Sequence, residues 1–230
     1  MAKGRSTATP SGQAERVAVV AAERPLTCLT VKVPPERLST DLVVLSRSGP
    51  GHAEAISAAA LTSLDHLRPW MPWATPAGVS VPAQRQRLGS QRWAPDSDYD
   101  YVMLHPQLGA IIGGCSLMRR QTPGVLEIGY WVHIDHTGRG VATAAAGLLT
   151  SAARQMDGVR QITIRCDAAN APSAAVPRHL GYRLEGILAE HFEVPASTGR
   201  TMVWVLDVGA PADGNPTYDG QPGPRGPAEG

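Results

Sequence analysis

Residues 127–143 read EIGYWVHIDHTGRGVAT. A β-branched and aromatic run leads into a glycine-containing turn, and the turn leads straight into the Ala-rich stretch 140–155. The order is strand, turn, helix. Gly138 and Gly140 let the backbone bend and come close to a ligand. The first N–H groups of a helix have no internal partners, and they point at one spot with the positive end of the helix dipole. Such a turn is an anion site, and a diphosphate fits it. Arg139 adds a charge at its mouth and Thr143 a hydroxyl one turn in, while Ala142 and the alanines at 144–146 keep the helix close to a sheet. No Lys-Ser/Thr pair follows the glycines and no GxGxxG opens an early βαβ unit, so neither a P-loop nor a dinucleotide fingerprint is present. A Gly-x-Gly turn standing alone also serves as a plain structural connection.

Outward from this segment the chain alternates between two periods. Residues 42–47 read as a strand broken by Gly49-Pro50-Gly51, and 52–64 as an Ala-rich helix. The stretch 65–82 holds four prolines and two tryptophans and reads as a shaped loop. A helix is predicted over 83–93. Strands are predicted over 99–104, 109–119 and 125–133, with short turns that make an antiparallel meander. The helix 140–155 precedes a strand at 161–166. A short helix at 171–180 ends at Gly181, and strands at 182–188 and 200–208 close the sheet. The helix between 125–133 and 161–166 makes those two strands parallel through a right-handed crossover. The expected fold is a mixed α/β domain: about seven strands, mostly antiparallel, with helices on both faces.

Composition bounds the rest. The 230 residues are 43% hydrophobic but only 5% aromatic, so the core is built from Ala, Val, Leu and Ile. A net charge of +1 supplies no global field for DNA or an anionic membrane. Cys28, Cys115 and Cys166 lack any CxxC spacing and read as reduced thiols. His133 and His136 flank the turn without convergent partners, so no metal is expected. The apolar run 17–22 is too short for a signal-peptide core, and cytoplasm is the expected compartment. Residues 1–33 read as a loose arm and 209–230, rich in Gly and Pro, as a disordered tail. The folded domain is expected over 34–208.

Three segments in order, LEIGYWV (126–132), GRGVATAAAGLL (138–149) and CDAANAPSAAVPRHLGYRLEG (166–186), resemble the GNAT acetyltransferase superfamily. The resemblance is strongest to its branch of ribosomal-protein alanine N-acetyltransferases, and LRPWMPWA (67–74) resembles a stretch common there. It spans about 37–207. The family's diphosphate signature, Q/R-x-x-G-x-G/A, reads here Thr137-Gly138-Arg139-Gly140-Val141-Ala142, with Thr in the first place.

The resemblance implies acetyl-CoA as co-substrate and a primary amine, on a small molecule or a protein N-terminus, as acceptor. It implies that strands 125–133 and 161–166 splay, that the pantetheine arm lies between them, and that Val132 offers an N–H to the thioester carbonyl. Glu127 resembles the family's proton acceptor, often acting through water. The place of the family's helix Tyr falls on Pro177. Ser173 takes its role as proton donor to the leaving thiolate, and Asn170 bonds the pantetheine amide. Both are equally suited to capping a helix. Tyr182 is a backup donor whose pattern reads rather as core. Trp70, Trp73, Tyr130 and Arg68 are assigned to the acceptor side, and Arg85 and Arg87 are further candidates for an anionic acceptor. Two alternatives stay open: an aminoacyl-tRNA donor on the same fold, and a non-catalytic acyl-CoA-binding module. The acceptor and the oligomeric state are left open, a homodimer included.

Overall fold

The computed structural model describes residues 33–191 and 193–209. Cys28, the run 17–22 and nearly all of the expected arm and tail lie outside them. The elements run β1 (Arg37–Ser39), β2 (Val44–Arg47), α1 (Ala53–Thr62), α2 (Leu64–Leu67), α3 (Val81–Gly89), β3 (Tyr99–Leu104), β4 (Ile111–Arg119), β5 (Val125–Val132), α4 (Val141–Ala153), β6 (Gln161–Asp167), α5 (Ala171–His179), β7 (Arg183–Leu188) and β8 (Thr201–Asp207). One eight-stranded sheet has the order β1-β2-β3-β4-β5-β6-β8-β7, and only β5 and β6 pair in parallel. The eighth strand is β1. Its three residues, with Leu38 as the one apolar side chain, are too few to show a period; they are strand only because they hairpin onto β2, where Arg47 N–H meets Glu36 O at 2.7 Å.

Alternation along β3 divides the core between two faces. Tyr99, Tyr101 and Met103 join the large cluster with Val141, Ala145, Ala146 and Leu149 of α4; Val102 joins a smaller one with Ala53 and Ile56 of α1 and Leu88 of α3. Helices therefore cover both faces. The small residues of α4 allow close approach to its neighbours: a Cβ on Gly147 would stand 3.3 Å from Leu180.

Two helices end earlier than periodicity predicts. The run 52–64 breaks at Ser63, whose buried hydroxyl donates to Ala59 O (2.9 Å) and accepts from Ile134 N–H (3.1 Å). The helix 83–93 begins at Val81, capped by Ser80, and stops at Gly89. Beyond it, Trp93 turns inward, meets Tyr99 and Tyr101 edge-on and donates to Pro34 O at 3.2 Å, so aromatic packing overrides helical propensity. The proline-rich loop is packed rather than open: Ala74 and Val79 are buried, and a Cβ on Gly78 would fall 2.2 Å from Trp73 O. Among the described residues no helix is long and apolar enough to cross a membrane.

Candidate active site

The turn between β5 and α4 presents backbone rather than side chains. Gly138 (φ +69°) and Gly140 (φ +77°) are in the left-handed region. Gly140 caps α4 without a side chain, and no acidic residue occupies the first turn. The helix ladder begins with Ala144 N–H to Gly140 O at 2.9 Å, so the N–H groups of Val141, Ala142 and Thr143 precede it. Thr137 spends its hydroxyl on Ile134 O (2.9 Å), and Arg139 is exposed beside the turn. His136 stands with ring centroids 5.9 Å from both His105 and His133. Partial burial, then the neighbouring His133, Arg139 and His105, hold its imidazole below the ordinary range.

Next to this turn the sheet opens. Parallel pairing of β5 with β6 stops at Glu127↔Thr163, although β5 continues to Val132 and β6 to Asp167. The β4–β5 register fixes which groups face the opening. His133 N–H bonds Ile112 O at 2.9 Å, and Trp131 pairs with Gly114 in the same phase. In an antiparallel ladder alternate residues direct their N–H and C=O away from the partner. Those of Ile128, Tyr130 and Val132 therefore face the side of β6. The bond from Thr163 Oγ1 to Leu126 O (3.4 Å) is in the same phase. N–H groups that precede a helix ladder suit an anion, and strand groups that face a gap suit an extended chain that carries amides.

The gap joins a cavity of about 690 Å³ that crosses β3 to β6 under the proline-rich loop. Glu127, Tyr130, Asn170, Ser173, Trp70, Trp73 and Arg87 all line it; residues 137–143 do not. Glu127 is enclosed, with 12% of its side chain exposed, and is held by both edges of its carboxylate: Arg120 Nε donates to Oε2 at 2.8 Å and Nη2 to Oε1 at 2.7 Å. That carboxylate raises the guanidinium of Arg120 above its ordinary value. Asn170 caps α5 through Oδ1, which accepts Ser173 N–H at 3.1 Å. Tyr130 O–H donates to Ser173 O at 3.0 Å and lies 3.2 Å from Ser173 Oγ. Burial, opposed by Ser173, pushes the Tyr130 phenol well up, so it stays a proton donor. Pro177 is buried in α5. Tyr182 is core: its hydroxyl meets Thr150 Oγ1 at 2.8 Å, and burial pushes it up to about 12.

Two expected arginines are elsewhere. Arg68 is off the cavity lining and pairs with Asp65 at 3.7 Å, and Arg85 pairs with Glu54. Arg87 lines the cavity but is tied to Asp100 at 2.8 Å, a carboxylate that also accepts from Gln91 and Ser116. Sequence reasoning passed over Trp131, Arg120 and Asp100. Trp131 shares a strand face with Glu127 by period two, and its ring meets Trp73 edge-on at 5.8 Å. Gly114 makes room for it, since a Cβ there would lie 2.6 Å from Trp131 Nε1. Arg120 is two residues past Met118, the cross-strand partner of Glu127, a relation visible only once the register is known. Among the described residues no group of three His, Cys, Asp or Glu could hold a metal ion.

Comparison with known proteins gives these features a family. The model of the acetyltransferase (GNAT) domain matches residues 43–183. No curated protein matches the sequence. Among solved structures, Mycobacterium smegmatis RimJ in complex with CoA-disulfide is 24% identical at a TM-score of 0.65, over 72% of this chain and 81% of that one. The ribosomal-protein-S5-alanine acetyltransferase from Vibrio fischeri is 17% identical at 0.65, over 74% and 96%. RimL, a ribosomal L7/L12 α-N-protein acetyltransferase in complex with coenzyme A, is 20% identical at 0.64, over 76% and 97%. At these identities the likeness is one of fold.

Proposed function

We propose, because this chain belongs to the acetyltransferase (GNAT) family, that it moves an acetyl group from acetyl-CoA to a primary amine by direct attack in a ternary complex. The observation that carries the reading is the end of β5–β6 pairing at Glu127↔Thr163. It leaves free backbone facing a gap with an anion-binding turn beside it and a carboxylate at the last paired residue.

In this reading the N–H groups of Val141, Ala142 and Thr143, with Arg139 beside them, hold the diphosphate. Val132 N–H polarises the thioester carbonyl where charge develops as the amine adds. Glu127 takes the ammonium proton, through a water, while Arg120 keeps its carboxylate oriented. An N-terminal amine, with a pKa of about 7.7–8.0, needs only a modest base. The new C–N bond forms, the C–S bond breaks, and the departing sulfur takes a proton from Ser173, whose hydroxyl is in reach of the Tyr130 phenol. Trp70, Trp73 and Trp131 wall the acceptor side. Protein N-termini are the favoured acceptor class, in line with the RimJ and RimL folds this chain shares.

The test is thiol release from acetyl-CoA across an amine panel: peptides with N-terminal Ala or Ser, polyamines and amine antibiotics. Release above the hydrolysis background with at least one class supports the reading. Donor binding without release from any of them removes it in favour of a binding module, and no donor binding at millimolar concentration favours a different donor.

A further inference from the structure

Three guanidiniums line the cavity, and each meets a carboxylate: Arg87 with Asp100, Arg120 with Glu127, Arg165 with Glu190. They differ in what remains to be bonded. Arg87 is fixed from two sides, giving Nη1 to Asp100 and Nε to Gln84 Oε1 at 3.3 Å. Arg165 is the most enclosed, with 26% of its side chain exposed, and its unpartnered Nε is buried away from solvent. Arg120 is 41% exposed and uses one edge of its fork, Nε and Nη2, on Glu127. Its Nη1 amino group has no acceptor among the described residues. Nη2 also reaches Met118 Sδ at 3.5 Å; a guanidinium carries five donors in a fixed plane, so the two N–H groups of Nη1 are left to take a second anion without releasing the first.

The neighbourhood makes that spare group informative. Around Arg120 and Glu127 the acceptor side is apolar, formed by Trp70, Met71, Trp73, Met118 and Trp131. A wall that is apolar around this one pair of opposite charges suits a ligand that brings both signs. We propose that Arg120 is a specificity-determining residue that reads an acidic group on the acceptor, and that the substrates are N-terminal peptides with Asp or Glu at the second or third residue. This rests on the acetyl-transfer reading above. With the amine near Glu127 and its acid on Nη1 of Arg120, the two are separated by roughly 6–8 Å, the reach of one or two extended residues.

The experiment compares kcat/KM for matched peptides bearing Glu, Gln or Lys at the second and third residues, in the full chain and in Arg120→Gln and Arg120→Lys. The wild type is expected to favour Glu over Gln by about tenfold, the scale of one charge-assisted contact. Arg120→Gln brings the ratio to about one, even where its overall rate falls because Glu127 has lost its partner, and Arg120→Lys restores part of it. A wild-type ratio near one overturns the inference, as does an unchanged ratio in Arg120→Gln. If no peptide is acetylated, peptides fall away as acceptors, and acetyl transfer itself stands or falls by the wider amine panel. The Glu and Gln peptides are then compared by calorimetry on the wild type: tighter binding of the Glu peptide upholds the acidic preference, and equal affinity overturns it.

Discussion

In the proposed reading, the turn before α4 and the cavity beneath the proline-rich loop take their ligands with different parts of the chain. The turn works with backbone: two left-handed glycines and three N–H groups at the head of a 13-residue helix. All of it lies within the six residues 138–143. The cavity works with side chains drawn from α3, β3, β4, β5, β6, α5 and the connecting loop, held in place by ion pairs and register. Backbone sites depend on conformation and tolerate changes of side chain. Side-chain sites depend on identity and on what packs behind each group. A substitution in one half should therefore leave the other half's ligand nearly untouched, and that separation can be attacked directly.

The largest effect is expected at Glu127. Glu127→Gln should lower kcat by at least about 100-fold, the scale of lost general-base catalysis, with donor affinity nearly unchanged. Single-turnover rates and donor calorimetry on the same preparation measure both; a parallel loss of affinity would dissolve the distinction between the halves. Next is Gly140→Val. A Cβ at Gly140 meets only Leu42, at 3.7 Å, so the cost lies in the backbone angle of +77°. A β-branched residue there should cost about 2 kcal/mol of stability, seen in urea unfolding, and weaken the donor about tenfold. Acceptor KM measured at saturating donor should not move.

Gly114→Ala sharpens the comparison from the other side. Its methyl displaces Trp131, so acceptor KM should rise several-fold while donor affinity holds, at about 1–2 kcal/mol of stability. The smallest effect concerns pH. Burial alone would raise the carboxyl of Asp167, but the N–H groups of Ala169 and Thr198 and the Thr198 hydroxyl, each at 2.8 Å, outweigh it and hold it below the ordinary value. The unfolded chain then takes up a proton that the folded chain refuses. The contribution is complete above the usual carboxylate range and is lost as pH falls through the lowered folded value. Asp167→Asn should lower Tm at neutral pH and flatten the acid limb of the Tm–pH curve, with transfer at pH 7 little changed.

The same division decides what could be read from the sequence. The strand–turn–helix at 125–153 was legible because hydrophobic period, glycines and helix start lie together in one segment. The parallel β5–β6 pair followed from the length of the crossover between them. β1 was not legible, since three residues with a single apolar side chain, Leu38, become a strand only through the neighbour they pair with. The early end of α3 was hidden for a similar reason: Trp93 leaves the helix for two tyrosines on β3. In the site, Glu127, Asn170 and Ser173 stood beside recognisable motifs. Trp131 and Arg120 acquire their places from strand register, and Arg68 is a solvent-facing arginine beside Asp65, off the cavity, which its place next to the tryptophans did not reveal.

Ser63 connects the two halves. Its hydroxyl takes the N–H of Ile134, four residues ahead of Gly138, at the joint from which α2 and the tryptophan loop depart. In the proposed reading, phosphates on the turn sit four residues from that joint, and the wall where the amine docks departs from it. Binding should accordingly be sequential, nucleotide thioester before amine, with amide exchange around residues 63–67 slowing as soon as the first ligand arrives.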